Sequence, residues 1–249
     1  MPADAAIRLD VRLEGHRVRV VTRSDLLAPR VLATSATSAR VTLVATTALL
    51  LGGDEVDLHV YVGPGATLDL SDIAATVAYD GRGAACRWSA RVEVAPGARF
   101  VWREEPFVVA DGADASRELV LDVASGARAW VRDTVVLGRH GERGGDLVAS
   151  TVLRVDGRPA LVETLDLRAA RGAGPALRDL PGVLRRDRVV DQLTIVGADL
   201  PTPSTGADVP GLVTLDPEGP ARLLRWTGAD THLSPIGAIL AGGPGWCRG

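Results

Sequence analysis

The 249-residue chain contains no lysine and no asparagine, so all 28 of its basic side chains are arginine. Without lysine it can form neither a Schiff base nor a lysine-dependent phosphate loop. Cysteine occurs only at Cys86 and Cys247, far apart in the chain, which gives neither a disulfide framework nor a zinc motif. The four histidines, His16, His59, His140 and His232, fall in four separate segments. No stretch reads as G-x-S-x-G, H-E-x-x-H or C-x-x-C. No apolar run approaches the roughly 18 residues of a membrane span; Val41 to Leu51 comes nearest and is short and threonine-rich. The opening MPADAAIRLD has no basic start followed by an apolar core, so a cytoplasmic chain is expected. A net charge of −3 argues against nucleic acid as a partner.

What the chain does contain is strand pattern. Val56, Leu58, Val60 and Val62 alternate with Glu55, Asp57, His59 and Tyr61, the period of a strand with one buried face. Gly63-Pro64-Gly65 follows: proline presets φ and the second glycine accepts the positive φ of a type II turn. Alternation then resumes through Ala66, Leu68 and Leu70. The same order of strand, glycine corner and strand recurs around Gly97, around Gly126 and, more loosely, around Gly157, at spacings of 32, 29 and 31 residues. Such a repeat fits stacked coils of sheet, and equally a β-sandwich with evenly spaced hairpins.

Residues 5–21 read as an opening hairpin, 31–51 as further strands, and 55–167 as nearly continuous strand. Two segments interrupt it. Trp102 to Phe107 (WREEPF) sets charges beside aromatics, and Leu137 to Gly145 (LGRHGERGG) holds four glycines and four titratable or cationic side chains. Beyond Leu167 a short helix is expected within 169–182, a strand at 189–196, a loop at 199–209, a closing strand pair at 212–215 and 221–226, helical turns at 233–240 and a frayed glycine-rich end. No linker divides the chain, so a single domain, 1–249, is expected.

Few residues suggest chemistry. His59 lies on the polar face of its strand and is expected to be solvated. His140, with Arg139 before it and Glu142 after it, is the best placed histidine. Glu104 and Glu105 would suit acid–base cleavage of a glycoside, but neighbours in a strand point to opposite faces. Trp88, Trp102 and Trp130 would serve a sugar-stacking platform or a core. The residues alone thus leave three readings: an interaction scaffold, a β-solenoid that binds or cleaves carbohydrate, and a self-assembling β-protein.

LLLGGD at 49–54, the V-x-P-G-A turns at 62–66 and 94–98, AATVAY at 74–79, WREEP at 102–106, LGRHGERGG at 137–145 and VDGRPALVETLDL at 155–167 together resemble the urease accessory protein family UreD, also called UreH. The match runs from about Leu49 to Leu167. The chain departs from the family at Ala48 and Leu49, where a glycine pair is usual, at Ile73, where glutamine is common, and from residue 168 onward. The resemblance implies a mainly β, helicoidal stack of strands with one or two short helices. It implies a non-enzymatic scaffold of nickel-urease maturation, without catalytic residues or a tightly held cofactor. Its partners would be UreF, the GTPase UreG through UreF, and apo-urease, with nickel passing along an internal polar path and transiently near His140 and Glu142. The motif residues carried over are Gly53, Asp54, Gly65, Gly97, Glu105, Pro106, Gly138, Arg139, Gly141 and Glu142. Arg139 and Glu142 are expected to form an ion pair buried at a partner surface or beside the path.

Overall fold

The computed structural model describes residues 7–169, 176–197 and 209–243. Two sheets hold most of these residues. The first runs through β14 (Arg158–Asp166), β13 (Asp146–Val155), β11 (Asp114–Val123), β8 (Cys86–Val94), β5 (Glu55–Val62), β1 (Ile7–Glu14) and β2 (Arg17–Arg23), with strands numbered in chain order. The second runs through β16 (Leu212–Leu215), β17 (Ala221–Gly228), β15 (Val189–Val196), β12 (Arg128–Leu137), β9 (Arg99–Arg103), β6 (Thr67–Asp72), β4 (Ser38–Ala45) and β3 (Leu27–Thr34). Two short strands, β7 (Thr76–Ala78) and β10 (Phe107–Val109), pair in parallel beside the end of β12.

The chain alternates between the sheets. Strands β5, β8, β11 and β13 stack in parallel in one, and β4, β6, β9 and β12 in the other. The result is a β-solenoid of about four turns, which decides between the stacked-coil and sandwich readings of the repeat. Apolar residues at alternate positions fill the space between the sheets: Val56, Leu58, Val60 and Val62 of β5 meet Leu68 and Leu70 of β6 and their counterparts above, all buried. No coil could bury this face alone, so each depends on its neighbours.

The glycine corners are stacked as well. Gly65, Gly97 and Gly126 have φ of +69°, +69° and +72°, and the backbone ladder passes through the corners, as in Ala95 N–H to Val62 O and Ala124 N–H to Val94 O, each 2.9 Å. The fourth corner differs. Asp156 and Gly157 both have positive φ, +52° and +74°, the geometry of a type I′ hairpin. Strand β14 accordingly returns antiparallel to β13 and ends the first sheet, where the even spacing predicted another corner.

At the opposite, return end the coils come back from the second sheet to the first. Tyr79 N–H bonds to Leu50 O, Ala110 N–H to Ala78 O and Gly138 N–H to Val109 O, so the LLLGGD and LGRHGERGG segments belong to one column of stacked loops. The outer face of the second sheet is covered by α1 (Ile236–Ala241), whose Ile236 and Leu240 pack with Val101, Trp130, Val136, Leu193 and Trp226.

The opening hairpin, the β16–β17 pair and the late helical turns stand as the sequence suggests. Within 169–182 only a 3-10 turn, Leu177–Asp179, falls among the described residues. Most of the 199–209 loop and residues 244–249 lie outside them. No helix among the described residues is long and apolar enough to cross a membrane.

Candidate functional site

Charged residues enter the interior at a few inward positions. In β6 the phase Leu68, Leu70 ends on Asp72. In β11 the phase Ala115, Leu119, Leu121 includes Arg117. In β12 Asp133 lies between Val131 and Val135, which line the core. Glu104, just after β9, is buried, whereas Glu105 is exposed, as opposite pleat faces require.

These side chains meet. Arg117 Nη2 donates to both oxygens of Glu104 at 2.6 Å, and its Nε donates to Asp133 Oδ1 at 3.2 Å. The guanidinium lies 3.9 Å from the Trp88 ring centroid and 4.9 Å from that of Phe107, a desolvated cation on aromatic faces. The Glu105 backbone N–H donates to Asp72 Oδ2 at 3.2 Å. Among the described residues Arg117 Nη1 is buried with no hydrogen-bond partner, and the Trp102 indole N–H helps to hold the Asp72 carboxyl in its charged form.

Burial dominates the electrostatics. It pushes the Asp72 carboxyl up to about 7, against the Glu105 N–H and the Arg117 charge. It also holds Glu104 well above the usual carboxylate range; Arg117 counteracts this, while Asp133 and Asp72 add repulsion. Arg117 remains charged because the carboxylates outweigh its own desolvation.

A cavity of about 140 Å³ opens onto this cluster. Exposed Ile73, Ala74 and Ala75 stand at its mouth, and among the described residues Asp72 and Glu104 are its charged lining. Leu49 and Tyr79 also line it, so the LLLGGD and AATVAY segments form its walls. Beyond Arg117 the polar row continues inside the solenoid. Asp133 of β12 lies in register with Gln192 of β15, and Gln192 with Arg225 of β17. Arg225 Nε donates to Gln192 Oε1 at 2.7 Å, and its Nη2 donates to Glu163 of β14, which is partly exposed. Polar side chains therefore cross the interior from the cavity to the β14 edge.

The sequence-derived residues fall into three places. Gly65 and Gly97 shape the glycine corners. Glu105 and Pro106 border the cluster, Glu105 through its bond to Asp72. Gly53, Asp54, Gly138, Arg139, Gly141 and Glu142 lie at the return end. Arg139 and Glu142 do pair: Arg139 Nε donates to Glu142 Oε1 at 2.8 Å. The pair is at the surface, however, with the Arg139 side chain 56% exposed, and this corrects the expectation of a buried pair. Glu142 also accepts the N–H groups of Arg139 and Asp111, while Asp111 accepts those of Arg143 and Gly144. The Arg139 side chain, with these amides, holds the Glu142 carboxyl down at about 2. His140 is exposed at the loop tip.

His59 also departs from expectation. It is 1% exposed, with Nε2 3.0 Å from Glu93 Oε1, because long cross-strand neighbours, Arg8 and Arg91, flank it on the outer face. Trp88 and Trp102 are buried between the sheets and Trp130 beneath α1, so none offers a sugar platform. Burial pushes the Cys86 thiol up to about 11, so it rests as the neutral thiol. Among the described residues no group of three or more His, Cys, Asp or Glu side chains is placed to hold a metal ion.

The sequence reading missed Asp72, Arg117 and Asp133 as site residues. Their signal was a charge on the apolar phase of a strand, strongest for Asp72 after Leu68 and Leu70.

Comparison with known proteins gives a consistent answer. The model of the UreD urease accessory protein family matches residues 3–232. "Urease accessory protein UreD 1" of Streptomyces griseus is 45% identical over 212 residues, 83% of this chain and 81% of that protein. A protein of the same name from Saccharopolyspora erythraea is 39% identical over 202 residues, 79% and 77% of the two chains. "Urease accessory protein UreD" of Streptomyces coelicolor is 35% identical over 199 residues, again 79% and 77%.

Proposed function

The chain belongs to the UreD urease accessory protein family, and on that premise we propose that it is a non-enzymatic scaffold that conducts nickel toward the active site of apo-urease. In this reading it works in the cytoplasm, bound to UreF, through which the GTPase UreG is recruited, and to apo-urease. Nickel is its cargo and no cofactor resides in it.

The observation that supports this reading is the polar row from Asp72 and Glu104 through Arg117 and Asp133 to Gln192, Arg225 and Glu163, set inside an otherwise apolar β-stack. Burying so many charges carries a desolvation cost that their pairing offsets only in part, so the row is a poor device for cohesion alone. Carboxylate oxygens suit a divalent first-row cation without gripping it as thiolates would. Conduction needs sites favourable enough to enter and weak enough to leave. The surface loop 137–145, with His140 exposed and Arg139 held by Glu142, then serves as a partner contact, not as part of the path.

The test is urease activity in cells carrying Glu104→Gln or Asp72→Asn, with soluble protein and co-purification of UreF and urease followed in parallel. The reading expects activity to fall while the complexes persist. Full activity in both variants would remove the path. Arg139→Ala and Glu142→Ala are expected to impair activation through loss of co-purification, with the fold retained.

A further inference from the structure

At the end where the chain begins, the two sheets stop differently. The last strand of the second sheet is β3, and it is blunted. Pro29 has no N–H to offer, and a bulge between Val31 and Ala33 breaks its register with β4. The last strand of the first sheet is β2, which pairs regularly with β1 along its whole length. Among the described residues nothing pairs with its other side. Gly15, with φ +62°, opens a two-residue turn, and such a turn bonds the Glu14 carbonyl to the Arg17 N–H. Hydrogen-bonded and open pairs then alternate along the ladder, which turns the N–H and C=O groups of Val18, Val20 and Thr22 toward the open side.

The two faces of this edge differ in kind. On the outer face the register of β1 and β2 gathers five arginines, Arg8, Arg12, Arg17, Arg19 and Arg23, against two carboxylates, Asp10 and Glu14. Both carboxylates are engaged within the face, Asp10 by Arg8 and Arg12 and Glu14 by Arg19. Positive charge therefore collects here, on a chain whose net charge is −3. On the inner face Val18 and Val20 are half-buried. In the facing sheet, Val31 and the bulged Leu32 of β3 are 47% and 58% exposed. The end of the core thus stands open beside β2. A second copy of β2 does not suit the edge: antiparallel pairing about Val20 sets Arg17 opposite Arg23, and like charges directly opposite destabilise a pair of strands.

We propose that β2 takes a further strand from a partner protein, an extended segment that alternates acidic and apolar residues. The open backbone groups of β2 hold such a segment by strand addition. Side chains of a strand alternate between its faces, so the acidic residues fall beside Arg17, Arg19 and Arg23 on the outer face. The apolar ones then close over Val18, Val20 and Val31 and cap the end of the stack. Charge complementarity selects the partner, and the blunted β3 leaves β2 as the receptive edge. The proposal uses no member of the polar row, so it stands or falls apart from nickel conduction.

The test uses the full chain and a fluorescently labelled peptide that alternates glutamate and valine over the length of β2, followed by anisotropy. Binding is expected at low salt and is expected to weaken as salt rises. Arg17→Ser combined with Arg23→Ser, both at exposed positions, is expected to weaken it at least roughly tenfold. A peptide alternating lysine and valine is expected not to bind. Methylating alternate backbone nitrogens of the glutamate–valine peptide removes one phase of its donors and leaves the protein untouched. Of the two such peptides, the one methylated on the side facing β2 is expected to lose binding. If the unmethylated peptide does not bind, the arginines are guards against self-pairing and the proposal is overturned. Equal affinity in the double variant, or full binding by both methylated peptides, overturns it as well. So does tighter binding of an oligothymidylate, which would assign the arginines to a nucleic acid.

Discussion

Two arginine–carboxylate arrangements in this protein use the same groups to opposite ends. Arg117 with Glu104 and Asp133 is enclosed between the sheets, while Arg139 with Glu142 is at the solvent-facing return end. In the interior, desolvation dominates and lifts the carboxyls of Glu104 and Asp72. On the surface, hydrogen bonds to Arg139 and to backbone amides dominate and lower that of Glu142. Burial raises the cost of leaving a partner unpaired, and exposure lets water replace it. The interior arrangement is therefore structurally demanding and chemically poised. The surface one is a clip on a loop whose shape is set mainly by its backbone.

The contrast makes graded predictions. The largest effect is expected from Arg117→Ala, which leaves Glu104 and Asp133 facing each other inside the stack. Denaturant unfolding should show a loss of about 3–5 kcal/mol, and a loss under about 1 kcal/mol would mean that water reaches the interior as freely as the surface. Next, with the opposite sign, comes Asp72→Asn. Its carboxyl titrates near 7 when folded and near 3.8 when unfolded, so between those values the folded state holds the extra proton. Stability attributable to Asp72 is thus full below about 4 and falls as pH rises to about 7. The asparagine variant should flatten that slope and be more stable than the wild type at pH 8 by up to about 2–4 kcal/mol; parallel pH–stability curves would contradict the burial of Asp72.

At the return end, backbone geometry should outweigh the ion pair. Gly144 has φ +84°, and a Cβ there would lie 2.6 Å from Gly138 N. Gly144→Ala should cost about 1–3 kcal/mol through strain, read as a lowered thermal midpoint. The smallest effect belongs to Glu142→Ala. Its contribution is present above about pH 4.5 and lost as pH falls through about 2, so its midpoint should differ from wild type less than that of Gly144→Ala at pH 7, and the difference should shrink as pH falls toward 2. A larger effect from Glu142→Ala than from Gly144→Ala would reverse the assignment of what holds the loop.

Much of the fold could be read directly from alternation and glycine spacing, because both are local consequences of a stacked coil. The final coil could not. Asp156-Gly157 suits a hairpin, but its even distance from Gly126 suits a corner equally well, and only β14 pairing back on β13 decides between them. The interior cluster was harder to see. Ser116, Arg117 and Glu118 are all polar, so the inward phase of β11 is fixed only by Leu119 and Leu121 further on, and the sequence brings no two cluster members next to each other. Burial of the Arg139–Glu142 pair was wrongly expected because a short motif states which side chains can meet and nothing of what covers them. The covering of His59 by Arg8 and Arg91 is likewise a cross-strand fact, invisible along the chain.

The placement of α1 bears on how the protein comes into being. Each parallel strand of the stack pairs with one made about one coil earlier, so the solenoid can grow behind the ribosome as it is translated. The outer face of the second sheet has no such early partner: Val101, Trp130 and Val136 wait for Ile236 and Leu240, which are translated well after them. A nascent chain therefore carries an ordered stack with one greasy flank, and chains truncated after Gly228 should bind a hydrophobic dye more strongly than the full chain. The short helix, minor in mass, is the step that closes this flank.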